Sequence, residues 1–201
     1  VTLRVLVVAT HNRGKLREYE ELLAGLPVQF TSLADLGVRD EPQEGHAGFA
    51  DNARLKARFF ARLTGQLTLA DDSGLEVDAL GGDPGVRSAR YSGAGRSDRE
   101  RYELLLSRLG EIPPEGRTAR FRCAIAVAVP DGVLFTVEGT CEGLITMLPR
   151  GSYGFGYDPV FYVVERGRTM AELKPAVKNQ ISHRARAAQA ALPLLRAILG
   201  A

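Results

Sequence analysis

The chain has no tryptophan, two methionines and only two cysteines, Cys123 and Cys141, among its 201 residues. The cysteines have no C-x-x-C spacing, so the sequence suggests no zinc site. Their two strands join through Pro130-Asp131-Gly132, and in a reducing compartment two buried thiols are expected rather than a disulfide. The histidines lack metal-ligand spacing, and none belongs to a nucleophile motif with a serine or cysteine. An excess of charge of one sign is missing as well. The formal net charge is +2 with basic residues spread along the chain, which points to neither nucleic acid nor an anionic membrane as a partner. Long apolar runs are absent. The run at residues 5–9 has the length of a strand, far below the ~20 residues of a membrane span, and lacks the cleavage site of a signal peptide. The expectation is a cytoplasmic protein without membrane contact.

What is present is ordinary for a globular chain, 45% hydrophobic and 25% charged, and long enough to bury a substantial core. The continuous apolar run at residues 3–9 predicts a strand buried on both faces. From Lys15 onward, Leu16, Tyr19, Leu22, Leu23 and Leu26 form one helical stripe, which Pro27 ends. A short strand follows at 28–32, a polar loop at 40–48, and a helix over about 49–64 closed by Gly65. Residues 66–70 read as a strand that runs out into a D-D-S-G turn. A helix is predicted over 98–109, and the Pro-rich stretch 110–116 as a linker between lobes. Residues 118–129 and 133–146 read as a long hairpin, followed by a short strand at 160–164. The C-terminal helix begins near Ser182, with Pro193 expected to kink or restart it. Interleaved helices and strands define an α/β class.

Four constellations can carry chemistry. Ala70 to Leu75, A-D-D-S-G-L, puts two carboxylates and Ser73 at a strand end, where α/β proteins gather their sites; side by side, Asp71 and Asp72 call for a metal or a lysine. Lys56 shares an otherwise apolar helical stripe with Phe49, Ala53 and Phe60. It either snorkels to water or points into a polar crevice beside the aspartates. Thr10, His11, Asn12, Arg13, Gly14 and Lys15 join a strand to a helix N-terminus, which suits phosphate; the equally weighted alternative is a plain turn with Asn12 as cap. This is not a P-loop, because Ala9 and Leu16 stand where Gly and Ser or Thr are needed. In G-F-G-Y-D-P, Gly154 to Pro159, Phe155 lies between glycines and can stack a planar base or plug the core. In I-S-H-R, Ser182 reads as an N-cap. His183 and Arg184 then sit in the first turn, against the helix dipole, and favour an anionic or polar ligand. Glu44 with Asp72 makes a sparse oxygen site of the kind Mg²⁺ takes beside phosphates, although Glu41 is nearly as plausible.

Together and in this order, T-H-N-R-G-K, F-A-D-N-A-R-L-K-A, A-D-D-S-G-L-E-V-D-A-L, P-G-V-R-S-A-R-Y-S-G, G-F-G-Y-D-P-V-F and I-S-H-R resemble the inosine triphosphate pyrophosphatase family over nearly the whole chain. The resemblance implies one two-lobed α/β domain over 1–201, with a long mixed central sheet flanked by helices, an active-site crevice between the lobes, and a homodimer. It implies hydrolysis of inosine, deoxyinosine and xanthosine triphosphates to the monophosphate and pyrophosphate, with Mg²⁺. By motif position, residues 10–15 and Lys56 hold the triphosphate, Glu44 and Asp72 hold the metal, and Asp72 is the general base. Ser73 contacts substrate, while Phe155, Gly156, Tyr157, Asp158, Lys178, His183 and Arg184 surround the base. Because a metal ligand is a poor base, a more remote Asp72 with Asp71 or Glu44 nearer the metal is the alternative. His11 departs from a position often small in the family, and Arg87 from one often aromatic. Two other readings compete: a Maf-like pyrophosphatase for modified pyrimidine triphosphates, and a non-catalytic nucleotide- or RNA-binding protein.

Overall fold

The computed structural model describes residues 3–43, 45 and 48–200. Seven strands form one mixed sheet in the order β2-β1-β3-β4-β5-β6-β7. They are β1 (Arg4–Val8), β2 (Val28–Ser32), β3 (Leu67–Val77), β4 (Thr118–Val129), β5 (Gly132–Ile145), β6 (Phe161–Val163) and β7 (Arg168–Thr169). The helices are α1 (Arg13–Leu22), α2 (Phe49–Thr64), α3 (Asp98–Leu109), α4 (Pro175–Ile181) and α5 (His183–Leu199). Strand β1 pairs in parallel with β2, Leu6 opposite Phe30, and with β3, Leu6 opposite Leu67. The other edge is antiparallel, with β5 on β6 and β6 on β7. Parallel neighbours need crossovers, which α1 and α2 supply.

Local chemistry explains the helix limits. Gly65 closes α2 in the left-handed conformation at φ 69°, its N–H reaching Ala61 O, a geometry that suits glycine. Ser97 caps α3 in a reciprocal box with Glu100, satisfying donors that would otherwise be orphaned.

The chain divides into two compact units. Unit 1 comprises 1–72, 123–139 and 184–201, and unit 2 comprises 73–122 and 140–183. Unit 1 has a core of Leu6, Val8, Leu69, Ile125 and Val127 from the strands with Tyr19, Leu23, Ala188 and Leu195 from α1 and α5. Unit 2 has its own core, in which Leu75, Phe121, Phe161, Met170 and Leu105 meet. Cys123 and Cys141 are both buried and free.

Three expectations are corrected. D-D-S-G is no turn, because β3 continues through it to Val77; partners described below neutralise both carboxylates and let the strand go on. Residues 110–116 are no linker between lobes: they lie inside unit 2. There the buried Arg117 gathers the stretch by donating to Gly110 O at 2.6 Å and Ile112 O at 2.7 Å. Pro193 does not restart the C-terminal helix, since α5 runs through it to Leu199.

Candidate functional site

In unit 1 the site is built on β3. Adjacent strand residues point to opposite faces, and Asp71 and Asp72 accordingly find different partners. Asp71 is almost wholly buried; its Oδ2 accepts from Lys15 Nζ of α1 at 2.9 Å and lies 3.5 Å from Arg184 Nη2 of α5. Burial opposes its ionisation, but Lys15, Arg184 and Lys56 outweigh that and hold its carboxyl well below the usual range. Arg184 is buried too and is paired with Glu18 of α1 at 2.5 Å. Burial disfavours its cation, yet Glu18 and Asp71 more than compensate, so it stays charged.

Asp72 is held by α2. Lys56 Nζ donates to its Oδ1 at 2.8 Å and Asn52 Nδ2 to its Oδ2 at 3.1 Å. Its side chain keeps 11% exposure against 1% for Asp71. Burial raises its carboxyl above the ordinary value despite the pull of Lys56. The outcome is one fixed anion and one more basic, partly accessible carboxylate. Lys56 thus points to the aspartates and does not snorkel to water. Asn52 was missed in the sequence, although it lies one helical turn, i to i+4, before Lys56 and shares its face. Glu18, three residues after Lys15 on α1, was missed in the same way. Ser73 follows on β3, half-buried.

The loop at residues 10–15 is tied by its own side chains. Asn12 Oδ1 accepts from the backbone N–H of Gly14 at 2.8 Å and of Lys15 at 3.2 Å. Its own N–H donates to Thr10 Oγ1 at 3.1 Å. Asn12 is thus the N-cap of α1, and two amides of the helix start are engaged by it. His11 turns outward, 3.9 Å from Glu41, beside a cavity of about 470 Å³ that Arg39 also lines. Glu44 lies outside the described residues. Among those described, no three His, Cys, Asp or Glu side chains are placed to hold a metal.

Unit 2 carries the aromatic loop. Lys178 of α4, 4% exposed, donates to Asp158 Oδ2 at 2.6 Å, and its Nζ stands 4.6 Å from the centre of the Phe155 ring. The same Asp158 oxygen accepts the Phe155 N–H at 3.0 Å. The Gly156 N–H donates to Asp98 Oδ2 at 2.7 Å, and Tyr157 Oη to Ser88 O at 2.9 Å. At Gly154, φ is +76° and a Cβ would collide with Asp158, so only glycine fits. Ser182 stands in extended backbone between α4 and α5, and the His183 ring stacks on Phe121 at 4.7 Å. Arg87 pairs with Asp83 at 2.6 Å on the surface. Asp98 had no signal in the sequence, because what it binds is a backbone amide 58 residues away.

Buried cations around a strand-borne carboxylate suit an anionic group, and a ring backed by an ammonium suits a planar one. On an α/β sheet, those two sets of groups define a nucleotide-handling protein. The chain belongs to the Ham1 family, whose model matches residues 6–194. It is 52% identical to a dITP/XTP pyrophosphatase of Geobacillus kaustophilus over 92% of this chain and 91% of that one. It is 47% identical to a dITP/XTP pyrophosphatase of Bacillus subtilis over 98% and 100%. Among solved structures, a HAM1 protein from Coxiella burnetii superposes with a TM-score of 0.86 at 40% identity, covering 99% of this chain and 100% of that one.

Proposed function

We propose that this protein is a nucleoside triphosphate pyrophosphatase that hydrolyses ITP, dITP and XTP to the monophosphate and pyrophosphate, cleansing the nucleotide pool. Relatives near 50% identity along almost their full length, named for dITP and XTP, support this reading. The observation in the molecule that carries it is Asp72, a partly accessible carboxylate of raised basicity held by Lys56 and Asn52.

Hydrolysis of a phosphoric anhydride asks for an oriented water, neutralised phosphate charge and a proton acceptor. Asp72 takes the proton of the attacking water; its raised carboxyl makes it the better base of the pair. Lys15 and Lys56 face the phosphates while remaining tied to their aspartates, and Thr10 to Gly14 shape the turn beneath them. Phe155 to Asp158 with Lys178 receive the purine, and His183 donates to its 6-oxygen. Ser73 contacts substrate. Arg184 serves by fixing Asp71.

The donor set fits Mg²⁺. Two hydrogen bonds leave roughly half of the lone-pair sites of Asp72 open, and its burial is incompletely offset. A sparse protein set completed by phosphates and water is what Mg²⁺ accepts. Asp72, with Glu44 from the preceding loop, would hold the ion, which when bound neutralises phosphate charge. No helix of the described residues is long and apolar enough to cross a membrane; that residues 1–201 form one two-lobed domain and that the protein acts as a cytoplasmic homodimer are parts of the proposal.

Pyrophosphate release across ITP, dITP, XTP, GTP and ATP, with and without Mg²⁺, tests the reading. ITP and XTP should exceed ATP by orders of magnitude, because a donor placed for a 6-oxygen meets an amino group on adenine; such mismatches reach about 10⁴–10⁵-fold. Equal turnover of ATP and ITP would refute the proposed selectivity.

A further inference from the structure

Three rings form a pile in unit 2. The His183 imidazole lies nearly flat on Phe121, with centres 4.7 Å apart and planes 17° from parallel. Phe121 in turn meets Phe161 at 4.4 Å and 43°. Phe161 is backed by Gly143 of β5, where a Cβ would stand 2.6 Å from Phe161 Cζ and 2.5 Å from Tyr162 O. All three rings are nearly excluded from solvent: Phe161 at 0%, Phe121 at 6% and His183 at 5%. The pile therefore rests on β5 backbone that allows no side chain, and it ends in the one ring with polar atoms.

The two contacts of Phe121 differ in kind. Against Phe161 it is tilted, as core rings commonly are, whereas against His183 it is stacked. The hydrogen-bonding atoms of an imidazole lie in its plane. A flat neighbour that fixes this plane therefore confines both nitrogens to directions within it. A leucine would fill much of the volume of Phe121 but would let the imidazole tip.

We propose that Phe121 is a positioning residue for purine selection: by stacking, it holds the His183 imidazole in the plane from which it meets the 6-position of the base. This rests on His183 being a base contact, as set out above, and it does not require Phe121 to touch substrate.

The test compares kcat/KM for ITP and ATP in the wild type, Phe121→Leu, Phe121→Tyr, His183→Ala and the double variant Phe121→Leu/His183→Ala, with melting temperatures alongside. Phe121→Leu should lower the ITP:ATP ratio about 2–10-fold, the worth of one aromatic pair, chiefly by raising KM for ITP. Phe121→Tyr should retain the ratio. In the His183→Ala background, Phe121→Leu should leave the ratio unchanged. Should Phe121→Leu not fold, Phe121→Met carries the same expectation. The inference is overturned if ITP and ATP activities fall equally, or if the ratio falls as much without His183. A wild type that does not prefer ITP fails the proposed function itself. A preference that survives in His183→Ala overturns the inference while leaving the pyrophosphatase standing.

Discussion

Asp71 and Asp72 are sequence neighbours whose carboxylates are gripped by different helices, Asp71 by Lys15 of α1 at 2.9 Å and Asp72 by Lys56 of α2 at 2.8 Å. The strand alternation that separates them also separates their tasks.

Their amide variants should accordingly fail in different ways. Asp72→Asn keeps the shape but cannot accept a proton and leaves Lys56 without its anion, so turnover should drop about 10²–10⁴-fold, with a smaller loss of stability than at the more deeply buried Asp71. Asp71→Asn leaves Lys15 and Arg184 without their shared anion, and breaking a buried pair costs about 3–5 kcal/mol. Thermal unfolding and steady-state rates on both variants check this; a stable but inactive Asp71→Asn would reverse the assignment.

Gly154→Ala should damage the aromatic loop without touching the carboxylates. The added Cβ collides with Asp158, which holds both Lys178 and the Phe155 amide. On the proposed function, in which this loop binds the base, a rise in KM for ITP with a smaller change in kcat is expected. An unchanged KM would separate the loop from the base.

Ser97→Ala should loosen α3. It removes the Oγ that accepts from the Glu100 N–H, while the residue-97 N–H still donates to the Glu100 carboxylate, and a lost cap costs about 0.5–2 kcal/mol. A denaturant midpoint shifted down at constant slope is the expected result.

The Cys123 thiol should resist alkylation in the native state. Burial, reinforced by the nearby Asp71 charge, pushes it up to about 12, so at pH 8 the reactive thiolate is scarce. Iodoacetamide labelling followed by mass spectrometry should modify Cys123 only after denaturant is added. Rapid native labelling would contradict its burial.

The helices with local punctuation were legible in the sequence. Gly65 after α2 and Ser97 with Glu100 before α3 carry their instructions within one turn of chain. Two of the misreadings share one cause, which is that the decisive partner is distant. D-D-S-G has the composition of a turn, and only Lys15, Lys56, Asn52 and Arg184 make it tolerable as strand. The stretch at 110–116 looks like a hinge until Arg117 is seen binding its carbonyls. In the site, Lys56 stood out as a cation on an apolar stripe, whereas Lys178 came only with the family resemblance. Asn52 and Glu18 were recoverable from helical spacing. Asp98 was not, because a contact to a backbone amide leaves no mark on the residue it binds.

The buried ion pairs of unit 1 have a kinetic meaning. Lys15, Lys56 and Arg184 are matched there by Asp71, Asp72 and Glu18, so these six side chains sum to no net charge. Clefts lined by one sign of charge draw in oppositely charged ligands and speed association by about 10–10³-fold. This cluster forgoes that gain. These six groups would not pull a polyanion in over a distance, so on the proposed function the arrival rate of substrate should respond little to ionic strength.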